Sequence, residues 1–343
     1  MAQRSSPLAR LRKVYDDLFV ASRSDSARRV RGLGLSLKGS EDRSALLRPI
    51  PVQKAADPPR DFLPGLASQW VVDAELDDPA RLAARAVAEL FPPRQLPGLT
   101  VYGFDADAGR WTYLVSANGP ERVRALRFAW PYCGPAWRQR REVVPAPVFG
   151  ARITLVENLL RRLGTARVWA DVDPDAAHAR SERLVAVGAR YDSRIVLRLA
   201  APAGASFAGR QVWDVLLSLG LEWGDMDCFH WQNSSGRGDD AYFSVEMSTG
   251  SGCFLPEEIA AGLVHVEDLE FSYSLPRSAD PIAVYGRMWN AVQYARTRLG
   301  GAVTAADGRP ADRERETNAI AGSAAELDAL GFQPGGDEAL RFF

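Results

Sequence analysis

The sequence predicts an α+β protein of two domains, each a mainly antiparallel sheet with helices on one face. Three observations carry that prediction. Strands of period 2 and helices of period 3.6 alternate as β-α-β-β-α-β-α-β after residue 192. A shorter strand–helix series runs from residue 67 to 173, and the two series end alike: "RRLGTARVWADVDP" at residues 161–174 lines up with "TRLGGAVTAADGRP" at residues 297–310. The composition, 46% hydrophobic and 25% charged, is that of a globular chain. No run reaches the roughly 18–20 apolar residues of a membrane span.

Residues 1–66 form a basic leader that is expected to be largely flexible. Its first 60 residues hold 13 Lys/Arg against 6 Asp/Glu; with a whole-chain charge of −1, this basic stretch precedes an acidic body. Leu8, Leu11, Tyr15 and Leu18 repeat at helical spacing, which predicts an amphipathic helix near residues 7–22, with Ser6 as cap and Pro7 in the first turn. Arg10, Arg12 and Lys13 lie off the apolar stripe. Such a helix suits packing on its own chain, a partner, or a peripheral contact with an anionic inner-membrane surface.

The first domain, residues 67–173, opens with the strand "SQWVVDAELDD" and the helix "PARLAARAVAELF". A hairpin follows in "PGLTVYGFDADAGRWTYL", turning at Asp107-Ala108-Gly109, then the strand "RVRALRFAWPY" and the helix "ITLVENLLRRLG". Residues 174–191 read as a helical connector. The second domain, residues 192–343, carries a C-terminal extension. Its strand "SRIVLRLA" leads to the helix "GRQVWDVLLSLG", stopped by Gly220. "DMDCFHW" and "AYFSVEMS" are strands around a polar loop, "PEEIAAG" is a short helix, and "EDLEFSYSL" alternates cleanly. The longest helix runs from Asp280-Pro281 to Gly300-Gly301. Trp213, Trp223 and Trp289 are expected in the core.

The chemistry-bearing stretch is "GLEWGDMDCFHWQ", residues 220–232. An Asp225–His230–His265 metal or acid–base site is conceivable there, but the spacing of these residues favours a structural histidine. Cys133, Cys228 and Cys253 show no metal-ligand or disulfide spacing. There is no phosphate-binding glycine loop and no nucleophile elbow. The expectation is a non-enzymatic, cytoplasmic protein with no cofactor and no metal site.

Gly209, "LGLEWGDMDCFHW", "AYFSVEMSTGSGCFLPEEI", Leu275-Pro276 and "RLGGAVTAADGRP" together resemble the C-terminal, FtsZ-binding domain of the ZipA cell-division family. The resemblance covers about residues 192–313. It implies for this segment a split β-α-β fold, which the repeat extends to residues 67–173, a role in the divisome, and a helix-free sheet face that binds the C-terminal tail peptide of FtsZ. It places that cleft at Arg194, Val196, Met226, Ser248, Glu270 and Ser272.

Alternation assigns the same face without the family. Ile195, Leu197 and Leu199 point to the helices, leaving Arg194, Val196 and Arg198 outward. Phe243, Val245 and Met247 point inward, leaving Tyr242, Ser244, Glu246 and Ser248; Glu270, Ser272 and Ser274 face out likewise. Four of the six cleft residues are polar where the family carries mostly apolar ones, so arginines and glutamates are expected to pair across the strands. The alternative is a scaffold or nucleic-acid-binding protein that reuses the fold without FtsZ. A nucleic-acid partner is not expected: the body is acidic, and no exposed aromatic pair stands on this face for stacking. A rival face is expected on the first domain if Trp70, Val72 and Ala74 point outward.

Overall fold

The computed structural model describes residues 23–50, 61–77, 84–91, 96–116, 119–134, 141–162, 164, 166–248 and 252–343. The helix expected near residues 7–22 lies outside the described residues. The chain divides into two bodies: residues 54–193 with 327–343, and residues 1–53 with 194–326. Helix α1 (Arg23–Gly32) belongs to the second.

The first body contains β1 (Gln69–Leu76), α2 (Ala84–Leu90), β2 (Thr100–Asp105), β3 (Arg110–Tyr113), β4 (Val123–Pro131), α3 (Ala146–Leu160), β5 (Ala166–Trp169) and α4 (Pro174–Tyr191). Its sheet is antiparallel throughout, in the order β3-β2-β4-β1-β5. The β2–β3 turn forms because the Asp105 carboxylate accepts the N–H groups of Asp107 and Ala108 at 2.9 Å each, and Gly109 supplies a φ of 61°. Asp173 caps α4 by accepting the N–H groups of Asp175 and Ala176, with Pro174 in the first turn. This helix packs on α3, so the expected connector is part of the first body's helix layer.

Trp70 corrects one expectation. Trp70, Val72 and Ala74 are 0%, 0% and 1% exposed, and the Trp70 ring meets Phe149 of α3 edge-on at 5.0 Å. The indole N–H donates to the Val172 carbonyl at 2.8 Å, so the side chain buries its apolar area without orphaning its donor. The outward set on β1 is therefore Val71, Asp73 and Glu75, and it is not the apolar face that an outward Trp70 would make.

The second body contains β6 (Arg194–Ala200), β7 (Phe207–Ala208), α5 (Gly209–Ser218), β8 (Glu222–Trp223), β9 (Phe229–Gln232), β10 (Ala241–Met247), α6 (Pro256–Ala260), β11 (His265–Val266), β12 (Asp268–Ser274), α7 (Pro281–Leu299) and β13 (Ala302–Ala305). Its six-stranded antiparallel sheet runs β13-β6-β12-β10-β9-β8, and β7 pairs with β11 in a separate ribbon. Helices α5 and α7 pack together, and α7 lies on β6, β12 and β10. The core stripe of α7 is Val284, Tyr285, Met288, Ala291, Val292 and Ala295. Trp289 sits beside that stripe and is only half-buried, as is Trp223; of the three expected core tryptophans, only Trp213 is fully buried. It stacks between Trp223 at 5.7 Å and Phe229 at 5.0 Å.

Residues 33–50 are held, not loose. The Trp213 indole N–H donates to the Ser36 carbonyl at 2.8 Å. Ser40 donates its N–H and hydroxyl to the Asp214 carboxylate at 2.6 and 2.7 Å, and Arg298 bonds Glu41 at 3.0 Å. This stretch of the leader is a strap across α5 and α7.

After β13, α8 (Arg313–Ala329) leads to α9 (Asp337–Phe342). The last 17 residues belong to the first body, not to an extension of the second. Glu338 explains the return: its carboxylate accepts from the Ser68 hydroxyl at 2.7 Å and the Ala67 N–H at 3.3 Å, while Phe332, Phe342 and Phe343 pack ring on ring.

Candidate functional site

Among the described residues, one face of the six-stranded sheet carries no helix, and its register follows the alternation. Arg198 stands opposite Glu270, Val196 opposite Ser272, and Arg194 opposite Ser274; Glu270 and Ser272 face Glu246 and Ser244 on the next strand. His230 of β9 stands beside Ser244. Five of the six expected cleft residues, Arg194, Val196, Ser248, Glu270 and Ser272, thus belong to one surface.

Charge pairing fastens that surface. Arg198 donates to Glu270 at 2.8 Å and lies 3.9 Å from Asp268; the Glu270 hydrogen bond raises the guanidinium pKa above its ordinary value. Arg194 bonds Glu246 at 3.2 Å and reaches the Ser272 carbonyl at 3.4 Å, so its side chain crosses the face. Beneath it, Ser272 is 0% exposed, and its hydroxyl has no partner among the described residues. Ser272 and Tyr242 therefore differ from the solvent-facing placement expected of them. Tyr242 is 4% exposed because the register shift between Ala241 and Phe243 lays its ring on Trp231 at 4.3 Å. Ser248 is exposed and hydrogen-bonds Asp268.

Met226 occupies a tight turn, Asp225–Asp227, where both Met226 and Asp227 adopt left-handed backbone, φ 54° and 53°. Its side chain is 77% exposed. The turn is tied to the sheet: His230 Nε2 donates to the Asp225 carbonyl at 2.9 Å, which leaves Nδ1 of the neutral ring to accept from the Ser244 hydroxyl at 2.8 Å. With both nitrogens occupied, His230 is a structural histidine. His265 lies apart on β11, against Ser206, so the conceivable Asp225–His230–His265 trio is not assembled. Among the described residues no cluster of His, Cys, Asp and Glu is arranged to hold a metal ion.

Burial pushes the Cys228 thiol up to about 11, helped by Glu246, and pushes Cys133 up to about 11 as well. Two units above the ordinary thiol mean roughly a hundredfold less thiolate at pH 7. Both should therefore label much more slowly with a thiol reagent in the native state than after denaturation. Equal rates would show that these sites open readily.

A cavity of about 340 Å³ opens on this face, lined by Arg194, Asp225, His230, Ser244, Ser272 and Arg277 among others. Asp239, Asp240 and Ser278 complete its rim, and Arg277 bonds Asp239 at 2.7 Å. Strand alternation misses Arg277 and these three because they lie in the turns after β9 and β12. The only sequence signal was charge at the ends of neighbouring strands.

The first body's sheet also has a face turned away from Trp70 and α3. Arg127 there bonds Asp73 at 2.8 Å and lies over the Trp111 ring at 4.6 Å. Burial raises the Asp73 carboxyl, and the Arg127 bond opposes it.

The sequence of the second body is similar to that of known proteins. Residues 193–320 match the family ZipA, C-terminal FtsZ-binding domain. The chain is 27% identical over 141 residues to the cell division protein ZipA of Marinobacter nauticus, covering 39% of this chain and 41% of that protein. It is 28% identical over 109 residues to ZipA of Shewanella loihica, covering 32% of each. The match spans about two-fifths or less of these ZipA relatives. No helix among the described residues is long and apolar enough to cross a membrane.

Proposed function

We propose that the protein is a non-enzymatic cell-division adaptor whose ZipA-like domain binds a peptide tail of the FtsZ type on its helix-free sheet face. The family match over residues 193–320 carries this reading. Val196 on β6 of this face supports it, as does Met226, 77% exposed in the turn that holds the cavity-lining Asp225. The paired charges make the surface more polar than an apolar cleft, so selectivity rests on charge matching and affinity falls with added salt. Attachment at the inner membrane would be peripheral, through the leader or a partner.

The first body reads as a divergent copy of the same fold. In support, β5-β1-β4-β2-β3 repeats the order and directions of β13-β6-β12-β10-β9, with the outer hairpin traversed in the opposite sequence.

Binding of the full chain to purified FtsZ, with and without its C-terminal tail, tests the proposal. Tail-dependent binding is expected, weakened about tenfold by Met226→Glu, since burying one methionine contributes roughly 1.5–3 kcal/mol. Equal binding to tail-less FtsZ, or none at all, would overturn it.

A further inference from the structure

We infer that the cavity on the open face of the ZipA-like domain receives a basic side chain, Lys or Arg, from the bound peptide. The inference rests on the peptide-binding reading and specifies the chemistry of its ligand.

Charge selects the sign. Asp225, Asp239, Asp240, Glu246, Asp268 and Glu270 stand on or around this face, against Arg194, Arg198 and Arg277. Each arginine is already engaged: Arg194 by Glu246, Arg198 by Glu270, and Arg277 by Asp239. The carboxylates of Asp225 and Asp240 enter no ion pair among the described residues, and both lie at the exposed rim of the cavity. An incoming cation meets unneutralised acid there, and an incoming anion meets repulsion.

Hydrogen bonding accommodates the same group, with the choice of sign resting on the rim carboxylates. Three lining residues, Ser272, Tyr242 and Ser278, are 0%, 4% and 8% exposed, and each carries a buried hydroxyl without a partner among the described residues. Register places the Ser272 side chain on the open face, facing Ser244 and Val196. Buried hydroxyls left unmade are costly, and each offers lone pairs to a donor. Ammonium and guanidinium groups are donors only, several to a group. The Arg194 guanidinium already lies over Ser272 on its carbonyl, which shows that a cation fits against this strand. A cavity of about 340 Å³ has room for a second one.

The test uses the full chain, ¹⁵N-labelled, titrated with N-acetyl-arginine amide and separately with N-acetyl-glutamate amide. Amide shifts at His230, Ser244, Ser272 and Asp240 are expected with the arginine compound alone. They should be lost in the rim double variant Asp225→Asn/Asp240→Asn, whose exposed positions leave the core untouched. No shift with the arginine compound, an equal shift with the glutamate compound, or shifts that persist in the double variant would overturn the inference. The FtsZ tail is not in this experiment, so failure of FtsZ binding and failure of the basic-side-chain site are read separately.

Discussion

Trp70→Ala is expected to destabilise the first body by about 3–5 kcal/mol, the range for emptying a large aromatic site in a core. The side chain is fully buried, touches Phe149 at 5.0 Å and Trp130 at 6.2 Å, and holds the Val172 carbonyl through its N–H. Alanine would remove the ring contacts and leave that carbonyl without its donor. A guanidinium titration followed by hydrogen exchange at β1 and β4 amides reads the loss body by body, which matters because two bodies need not unfold together. A loss under about 1 kcal/mol would mean that the indole is not a core group, contrary to the large-to-small range.

Gly301→Ala is expected to cost about 3 kcal/mol or more, by a different mechanism. Gly301 has φ 90°, and a Cβ there would overlap the Ala200 carbonyl oxygen and press on the Phe207 ring. Backbone strain at positive φ costs roughly 1–3 kcal/mol, and forced repacking adds about 1–3 more. The obstacle is backbone, so β13 must shift against β6, where Ala302 pairs with Ala200. Gly308 is the control: its φ is 78°, but nothing stands within 4 Å of an added Cβ. Gly308→Ala should carry only the φ strain. Thermal unfolding of the two variants separates the cases, and equal losses would show that the approach to Ala200 is unimportant.

Much of this architecture is legible in the sequence because its signals are local. Alternation in "SRIVLRLA" and "EDLEFSYSL" put Leu197, Leu199, Leu269 and Phe271 inside, and all four are fully buried. The long-range facts are less legible. An isolated strand does not say which of its faces meets helices, so the side taken by Trp70 waited on the position of Phe149, far along the chain. Ser272 obeys alternation and still lies covered, because exposure also depends on where Arg194 lays its long side chain. Asp240 and Arg277 sit in turns, where periodicity carries no information, and only the sheet order brings them together. The strap of residues 33–50 was illegible for a related reason: it forms no strand or long helix, and its anchors are scattered hydrogen bonds to Asp214, Trp213, Ser218 and Arg298 with a few buried side chains such as Leu47 and Ile50.

That strap has a mechanical consequence. Its attachments are to α5 and α7, behind the sheet, while the open face looks the other way. A pull on the chain ahead of residue 23 loads α1 first, through Arg29 on Glu257 and Asp227, and only then the strap. The Ser36, Ser40 and Glu41 contacts lie in series along the strap, ahead of the buried Leu47 and Ile50, so a pull along it is expected to break them in succession, as a zipper opens.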